Sequence, residues 1–170
     1  MKLNSGDDLR LAQRVAVDAA TTALSLRESG EFQVTLKKDG SPVTPADIGA
    51  ELRVRELIES ERPNDLFVGE ESGGLAVQKG RVWIIDPIDG TKNFVRGIPI
   101  WATLVALVED GEPKIGVVFA PELKRCWWAE KGSGAYVSKS PQGSGNRMHV
   151  RQASGLKDAY SRIIILCHNT

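Results

Sequence analysis

The residues best placed to do chemistry together are acids that end short apolar runs. In WIIDPIDGTKNF, residues 83–94, an apolar run closes on Asp86, Pro87 breaks it, and Asp89, Gly90 and Thr91 follow. Two carboxylates at this spacing on a tight turn can converge on one point. Gly90 lets the backbone approach a ligand closely, having no Cβ. A helix beginning near Thr91 would present backbone N–H groups to an anion such as phosphate. Glu70 and Glu71 end a second apolar run, and Asp47 stands in the first turn of an expected helix. With no basic residue beside Glu70, Asp86 or Asp89, these carboxylates would repel one another unless a hard dication sat between them. Magnesium takes oxygen ligands, keeps several waters and is often shared with a substrate phosphate. Two such ions can clamp the attacking and leaving oxygens of a phosphoryl transfer.

Each feature taken singly has a plainer reading. Asp47 suits a helix cap, Glu70-Glu71 a solvated acidic pair, and Asp86-Pro87 a strand terminator. Residues 86–91 as a unit are harder to dismiss, and the three signals in this order point to one site.

The elements that must position these groups are legible from periodicity. Leu9, Ala12, Val15, Ala19, Ala23 and Leu26 recur at helical spacing, so a helix is expected from about Asp7 to Ser29, with Asp7 or Asp8 as cap and Gly30 as stop. DGSP is turn chemistry. Thr44 then caps a second helix with Pro45 at its first position. Asp47, three residues after the cap, makes a capping box with Asp in place of the usual Glu or Gln. Ile48, Leu52, Leu57 and Ile58 supply the expected buried stripe, and Pro63 lies past the end. Short strands follow at residues 66–68 and 81–85. Residues 101–122 read as a hairpin turned at Glu109-Asp110-Gly111, and residues 125–138 as a second hairpin turned at residues 131–134. Residues 140–146 read as a polar loop, and RIIILC, residues 162–167, as a strand. The pattern predicts an α+β fold, a layered sandwich with two N-terminal helices packed on a largely antiparallel sheet.

The whole chain sets outer bounds. Its 170 residues suffice for one domain with a core. Lys+Arg and Asp+Glu balance at 22 each, which leaves no electrostatic footprint for nucleic acid or an anionic membrane. Cys126 and Cys167 lie far apart, outside any CxxC pair, and read as reduced thiols. The polar N-terminus is unlike a signal peptide, no apolar run reaches the length of a membrane span, and a cytoplasmic location is expected. Trp127 and Trp128 should face opposite sides of a strand. His149 and His168 read as surface or packing residues.

Three stretches, PVTPAD at 42–47, GEESG at 69–73 and DPIDGT at 86–91, together resemble the signature set of the inositol monophosphatase family, a superfamily that includes fructose bisphosphatases and 3′-phosphoadenosine phosphatases. The resemblance runs from the first helix to the strand around Trp128, and DPIDGT is its most specific part. It implies the first half of the sugar-phosphatase fold and magnesium as cofactor, two or three ions in a complete site. By the same resemblance Glu70 would bind the first ion and orient the water. Asp86 would bridge two ions, the Ile88 carbonyl would join the first, and Asp89 would bind the second. Thr91, supported by Asp47, would position the attacking water. The N–H groups of Gly90 and Thr91, beside Asp89, would hold the phosphate, with Glu71 nearby. Residues 92–111, KDGSPVT and CWWAEKGSGAY resemble the histidinol-phosphatase branch, where Arg96 and Trp101 could shape a pocket. For Arg96 a solvated loop cation is the plain alternative, for Trp101 core packing.

Family members continue past this length. Their second half supplies a further Asp, usually in a W-D-x-A-A-like stretch, and this chain has no WD dipeptide. One metal-binding domain, residues 1–170, is therefore expected without the family's second, C-terminal domain. The implied function is magnesium-dependent hydrolysis of a small alcohol phosphate, histidinol phosphate or inositol monophosphate. A shortened chain that binds metal without turnover, and a 3′-phosphoadenosine nucleotide phosphatase, are the alternatives. Dimerisation is expected from the resemblance and from the apolar strand at 162–167. Sedimentation velocity should show a dimer or larger assembly, and a monodisperse monomer refutes it.

Overall fold

The computed structural model describes residues 5–30, 33–73 and 79–150. Helix α1 (Ser5–Glu28) buries Leu11, Ala12, Val15, Ala16, Ala19, Ala20 and Ala23 along one face, the three-and-four spacing of an amphipathic helix. Asp7 and Asp8 lie inside its first turn rather than at a cap. A small hairpin follows, β1 (Thr35–Leu36) paired antiparallel with β2 (Pro42–Val43) around the DGS turn. Helix α2 (Pro45–Glu61) starts as expected: the Thr44 side chain accepts from the Ala46 N–H, and the Asp47 carboxylate accepts from the Thr44 N–H, completing the capping box.

The buried stripe of α2 keeps Ile58, with Leu57 partly buried beside it, but otherwise differs from the expected one. Ile48 and Leu52 are 48% and 56% exposed, while Ala46, Ala50, Val54 and Ile58 are buried. These four recur every fourth residue, and the alanines among them let α2 lie close against the alanine-rich face of α1. Hydrophobicity alone favoured the larger side chains, but close helix packing favours the smaller ones.

Among the described residues the remaining strands form one seven-stranded sheet in chain order: β3 (Leu66–Gly69), β4 (Arg81–Asp89), β5 (Ala102–Glu109), β6 (Glu112–Ala120), β7 (Arg125–Glu130), β8 (Gly134–Ser138) and β9 (Asn146–Met148). Among the described residues only β3 and β4 pair in parallel, with Gly69 opposite Ile85; the other pairings there are antiparallel. The expected α+β architecture is therefore the observed one. A five-residue helix, α3 (Thr91–Val95), leaves the end of β4. The β5–β6 hairpin turns at Asp110 and Gly111, both at positive φ (51° and 78°), the geometry of a two-residue type I′ turn. β9 takes Asn146 out of the expected polar loop by pairing with β8.

Pro87 does not end its strand. β4 continues to Asp89 through an irregular step between the Asp86–Leu104 and Asp89–Ala102 pairs. A bulge is where a strand tolerates a residue without an N–H, and the Pro87 carbonyl accepts from the buried Thr103 hydroxyl at 2.8 Å.

Both helices pack on one face of the sheet, where Trp83, Ile85, Val105, Leu107, Ile115, Val117 and Cys126 join the buried side of α1 and α2. Burial pushes the Cys126 thiol up to about 12, consistent with an inert reduced thiol. Trp128 is buried and stacks on Tyr136 at 5.8 Å, while Trp127, facing the other way, is half-buried. Trp101 is a core residue, edge-on to Phe94 at 4.9 Å, with its ring N–H on Glu122. Arg96 and His149 are exposed. At the rim, Asp8 accepts from Arg62 and Arg81, each at 2.9 Å. Arg81 also binds Asp65, which accepts from the Trp83 ring N–H. This cluster ties the start of α1 to the end of α2 and the entries to β3 and β4. Among the described residues no helix is long and apolar enough to cross a membrane. The tail strand at 162–167, Cys167 and His168 lie outside the described residues.

The buried Ile58 and the exposed Leu52, both in the expected stripe, separate by mutation. Ile58→Ala should destabilise the chain by about 2–5 kcal/mol, whereas Leu52→Ala should stay within about 0.5 kcal/mol of the parent. Chemical denaturation measures both, and similar losses would contradict the packing described.

Candidate active site

The parallel pairing of β3 and β4 brings their carboxyl ends to the same edge of the sheet. The Glu70 N–H donates to the Ile85 carbonyl at 3.1 Å, so Glu70 and Asp86, each one residue past a paired position, become neighbours. Their carboxylates lie close enough for Glu70 to raise the proton affinity of Asp86. Asp89 stands at the end of the same strand, close enough to Glu70 to feel its charge. Asp86 is further fixed by accepting from the Ile88 N–H at 3.0 Å.

Asp47 arrives from a separate element. Thr44 donates to its Oδ2 through both backbone N–H (2.7 Å) and hydroxyl (2.6 Å). Its Oδ1 accepts from the Thr91 hydroxyl at 3.1 Å, and Thr91 Oγ1 lies equally close to the Ile88 carbonyl. Gly90, at φ 94°, turns the chain from β4 into α3 and so delivers Thr91 to Asp47. A side chain at Gly90 would also press on the Ile100 carbonyl. Residues 44 apart in sequence thus meet through one hydrogen bond, between the Thr91 and Asp47 that the resemblance had paired.

The electrostatics are those of crowded acids. Burial, then the charge and hydrogen bond of Glu70 and the charge of Asp89, push Asp86 up to about 8. Burial, then Glu70, raises Asp89, and burial raises Asp47 against its hydrogen bonds. Burial also raises Glu71, although Lys37 works the other way. The sequence had placed no basic residue beside Glu70; the fold supplies one. Lys37, at the end of β1, binds Glu70 Oε1 at 2.8 Å and Glu71 Oε1 at 2.9 Å. Burial alone would lower this ammonium, but the two glutamates hold it well above the ordinary lysine range. No spacing rule pairs residue 37 with residue 70, because the contact is made across two elements.

The donor set fits a hard dication: oxygen ligands only, with neighbouring carboxylates whose repulsion a cation would relieve. Among the described residues no three acid, imidazole or thiolate side chains already enclose an ion. Glu70 is turned toward Lys37, so it would exchange that partner on binding metal.

One buried acid was missed. Glu51 is 3% exposed and accepts from the Glu71 and Ser72 N–H groups at 2.7 and 3.0 Å. Its signal was its place one helical turn after Asp47, on the same face.

Fold and site together define a two-layer α+β unit that gathers carboxylates and one threonine hydroxyl at the ends of two parallel strands. The family model of the inositol monophosphatase family matches residues 7–168, and the chain belongs to that family. It is 46% identical over 158 residues to the histidinol-phosphatase of Mycobacterium tuberculosis, covering 92% of this chain and 59% of that protein. Identity to the histidinol-phosphatase of Streptomyces coelicolor is 45%, over 90% of this chain and 58% of the relative. The inositol-1-monophosphatase of Caulobacter vibrioides is 39% identical over 78% of this chain and 50% of the relative. Among solved structures, the IMPase of Thermotoga maritima superposes with a TM-score of 0.72 at 34% identity, over 86% of this chain and 54% of that one. The chain thus spans a little over half the length of the relatives it matches.

The raised carboxyls set a pH dependence. Folding raises Asp47, Glu71, Asp86 and Asp89, so between the ordinary carboxylate range and about pH 8 the folded chain holds more protons than the unfolded one. Their stabilising contribution is full below that window and is lost as pH rises through it. The melting temperature of the metal-free chain should therefore fall between about pH 5.5 and 8.5. Asp86→Asn should flatten the slope, as followed by circular dichroism.

Proposed function

We propose that this chain carries the cation- and phosphate-binding half of a magnesium-dependent phosphomonoesterase acting on a small alcohol phosphate, histidinol phosphate or inositol monophosphate. The observation that carries the reading is the convergence of three distant segments, with Thr91 on Asp47 and Glu70 set beside Asp86 by the parallel pairing of β3 and β4. The names of the relatives support a phosphate ester as substrate, and histidinol phosphate accords with those of higher identity.

Glu70, Asp86, Asp89 and the Ile88 carbonyl would hold magnesium, which when bound supplies charge neutralisation and an acidified water. The chain's own residues do the rest. Asp47, held by Thr44, accepts from Thr91 and fixes its hydroxyl proton, which leaves the Thr91 lone pairs to accept from and orient a water. The backbone N–H groups of Gly90 and Thr91 would bind the phosphate oxygens beside Asp89. Most of the catalysis would then come from positioning and electrostatics. A second reading is a chain that binds the cation without turnover.

Phosphate release from histidinol phosphate and inositol 1-phosphate, with and without magnesium, tests the proposal. Magnesium-dependent release should fall on the order of 100-fold or more in Asp86→Asn and in Thr91→Ala. Release from neither substrate by the folded parent chain, with cation binding intact, would favour the second reading.

A further inference from the structure

Helix α2 reaches the site twice. Asp47, Glu51 and Arg55 recur every fourth residue, so they share one face beside the buried stripe. Asp47 holds Thr91. Glu51, one turn on, holds the other wall: its two oxygens take the Glu71 and Ser72 N–H groups, one each. Arg55, a further turn on, donates to the Ser72 hydroxyl at 2.6 Å and lies over the Phe67 ring.

The Glu51 carboxylate sits directly under the end of β3. A Cβ at Gly69 would overlap it, so the glycine opens the space that the carboxylate fills. Glu70 is then pinned from both sides, by its own N–H on the Ile85 carbonyl and by the next two N–H groups on Glu51. Among the described residues, the Glu51 oxygens are held by backbone N–H groups rather than by a cationic side chain. An acid spent on backbone donors, in an element that also carries Asp47, sets the distance between the two walls.

We infer that Glu51 is a positioning residue: it fixes the turn at residues 70–72 on α2 and so aims the Glu70 carboxylate at the cation site. The inference rests on the metal-binding reading given above. Partners that orient metal ligands typically matter 10–100-fold in metal affinity.

The test uses the full chain and Mn²⁺ alone, its binding followed by electron paramagnetic resonance, together with amide hydrogen exchange. In Glu51→Gln one acceptor oxygen becomes an NH₂ that faces an N–H donor. Mn²⁺ affinity should fall about 10–100-fold, and the Glu71 or Ser72 amide should exchange faster. Ile58→Ala, on the same helix and away from the turn, should keep parental Mn²⁺ affinity despite its lower stability. Gly69→Ala, which displaces the same carboxylate from the other side, should weaken Mn²⁺ binding as Glu51→Gln does. Parental Mn²⁺ affinity in folded Glu51→Gln overturns the inference, as does an equal loss in Ile58→Ala. If neither Glu51→Gln nor Gly69→Ala folds, Glu51 serves the fold itself and the positioning role is overturned. A parental chain that binds no Mn²⁺ overturns the metal-binding reading and this inference with it.

Discussion

Like charges forced together at the ends of two parallel strands are the constraint that the rest of the structure answers. Among the described residues β3 and β4 are the one parallel pair in an otherwise antiparallel sheet. An antiparallel partner would have sent Glu70 to the far edge. Parallel pairing instead puts Glu70, Asp86 and Asp89 at one edge, where burial and the charge of Glu70 raise the proton affinity of both aspartates. The neighbouring elements then serve this edge: the bulge at Pro87 turns Asp89, Gly90 redirects the chain, and the β1–β2 hairpin brings Lys37 against the glutamates.

Helix α2 couples that edge to the core. One side of it is apolar and packs on α1; the adjacent side carries Asp47 and Glu51, both buried and both fully engaged by donors. Burying two carboxylates is costly unless their oxygens are hydrogen-bonded, and among the described residues no buried side-chain nitrogen or oxygen lacks a partner. The helix thus spans the site as a rigid piece, with its spacing of one turn between acids imposed on the two loops it holds.

What the sequence revealed is what local chemistry determines. Thr44, Pro45 and Asp47 specify a helix start within four residues. Asp110-Gly111 specifies its turn, and residues 86–91 place two acids, a glycine and a threonine in a fixed order. What stayed hidden depends on packing across the chain. Lys37 looks like any loop lysine until the hairpin is folded against residues 70 and 71. Glu51 looks like a solvated helix charge, because nothing in its neighbourhood announces that Gly69 leaves it room. Ile48 and Leu52 outrank the alanines in hydrophobicity, but α1 presents alanines and admits only close contact. Pro87 reads as a terminator because the carbonyl bond from Thr103, sixteen residues away, is invisible locally.

The cluster of Asp8, Arg62, Arg81 and Asp65 has a thermal meaning. Its carboxylates are almost wholly shielded from water, with side-chain exposures of 6% each. The penalty for stripping water from such charges shrinks on warming, since ion hydration is entropically unfavourable, while hydrophobic gains level off. This corner therefore holds the start of α1 to the sheet relatively better in a warm solution than in a cold one.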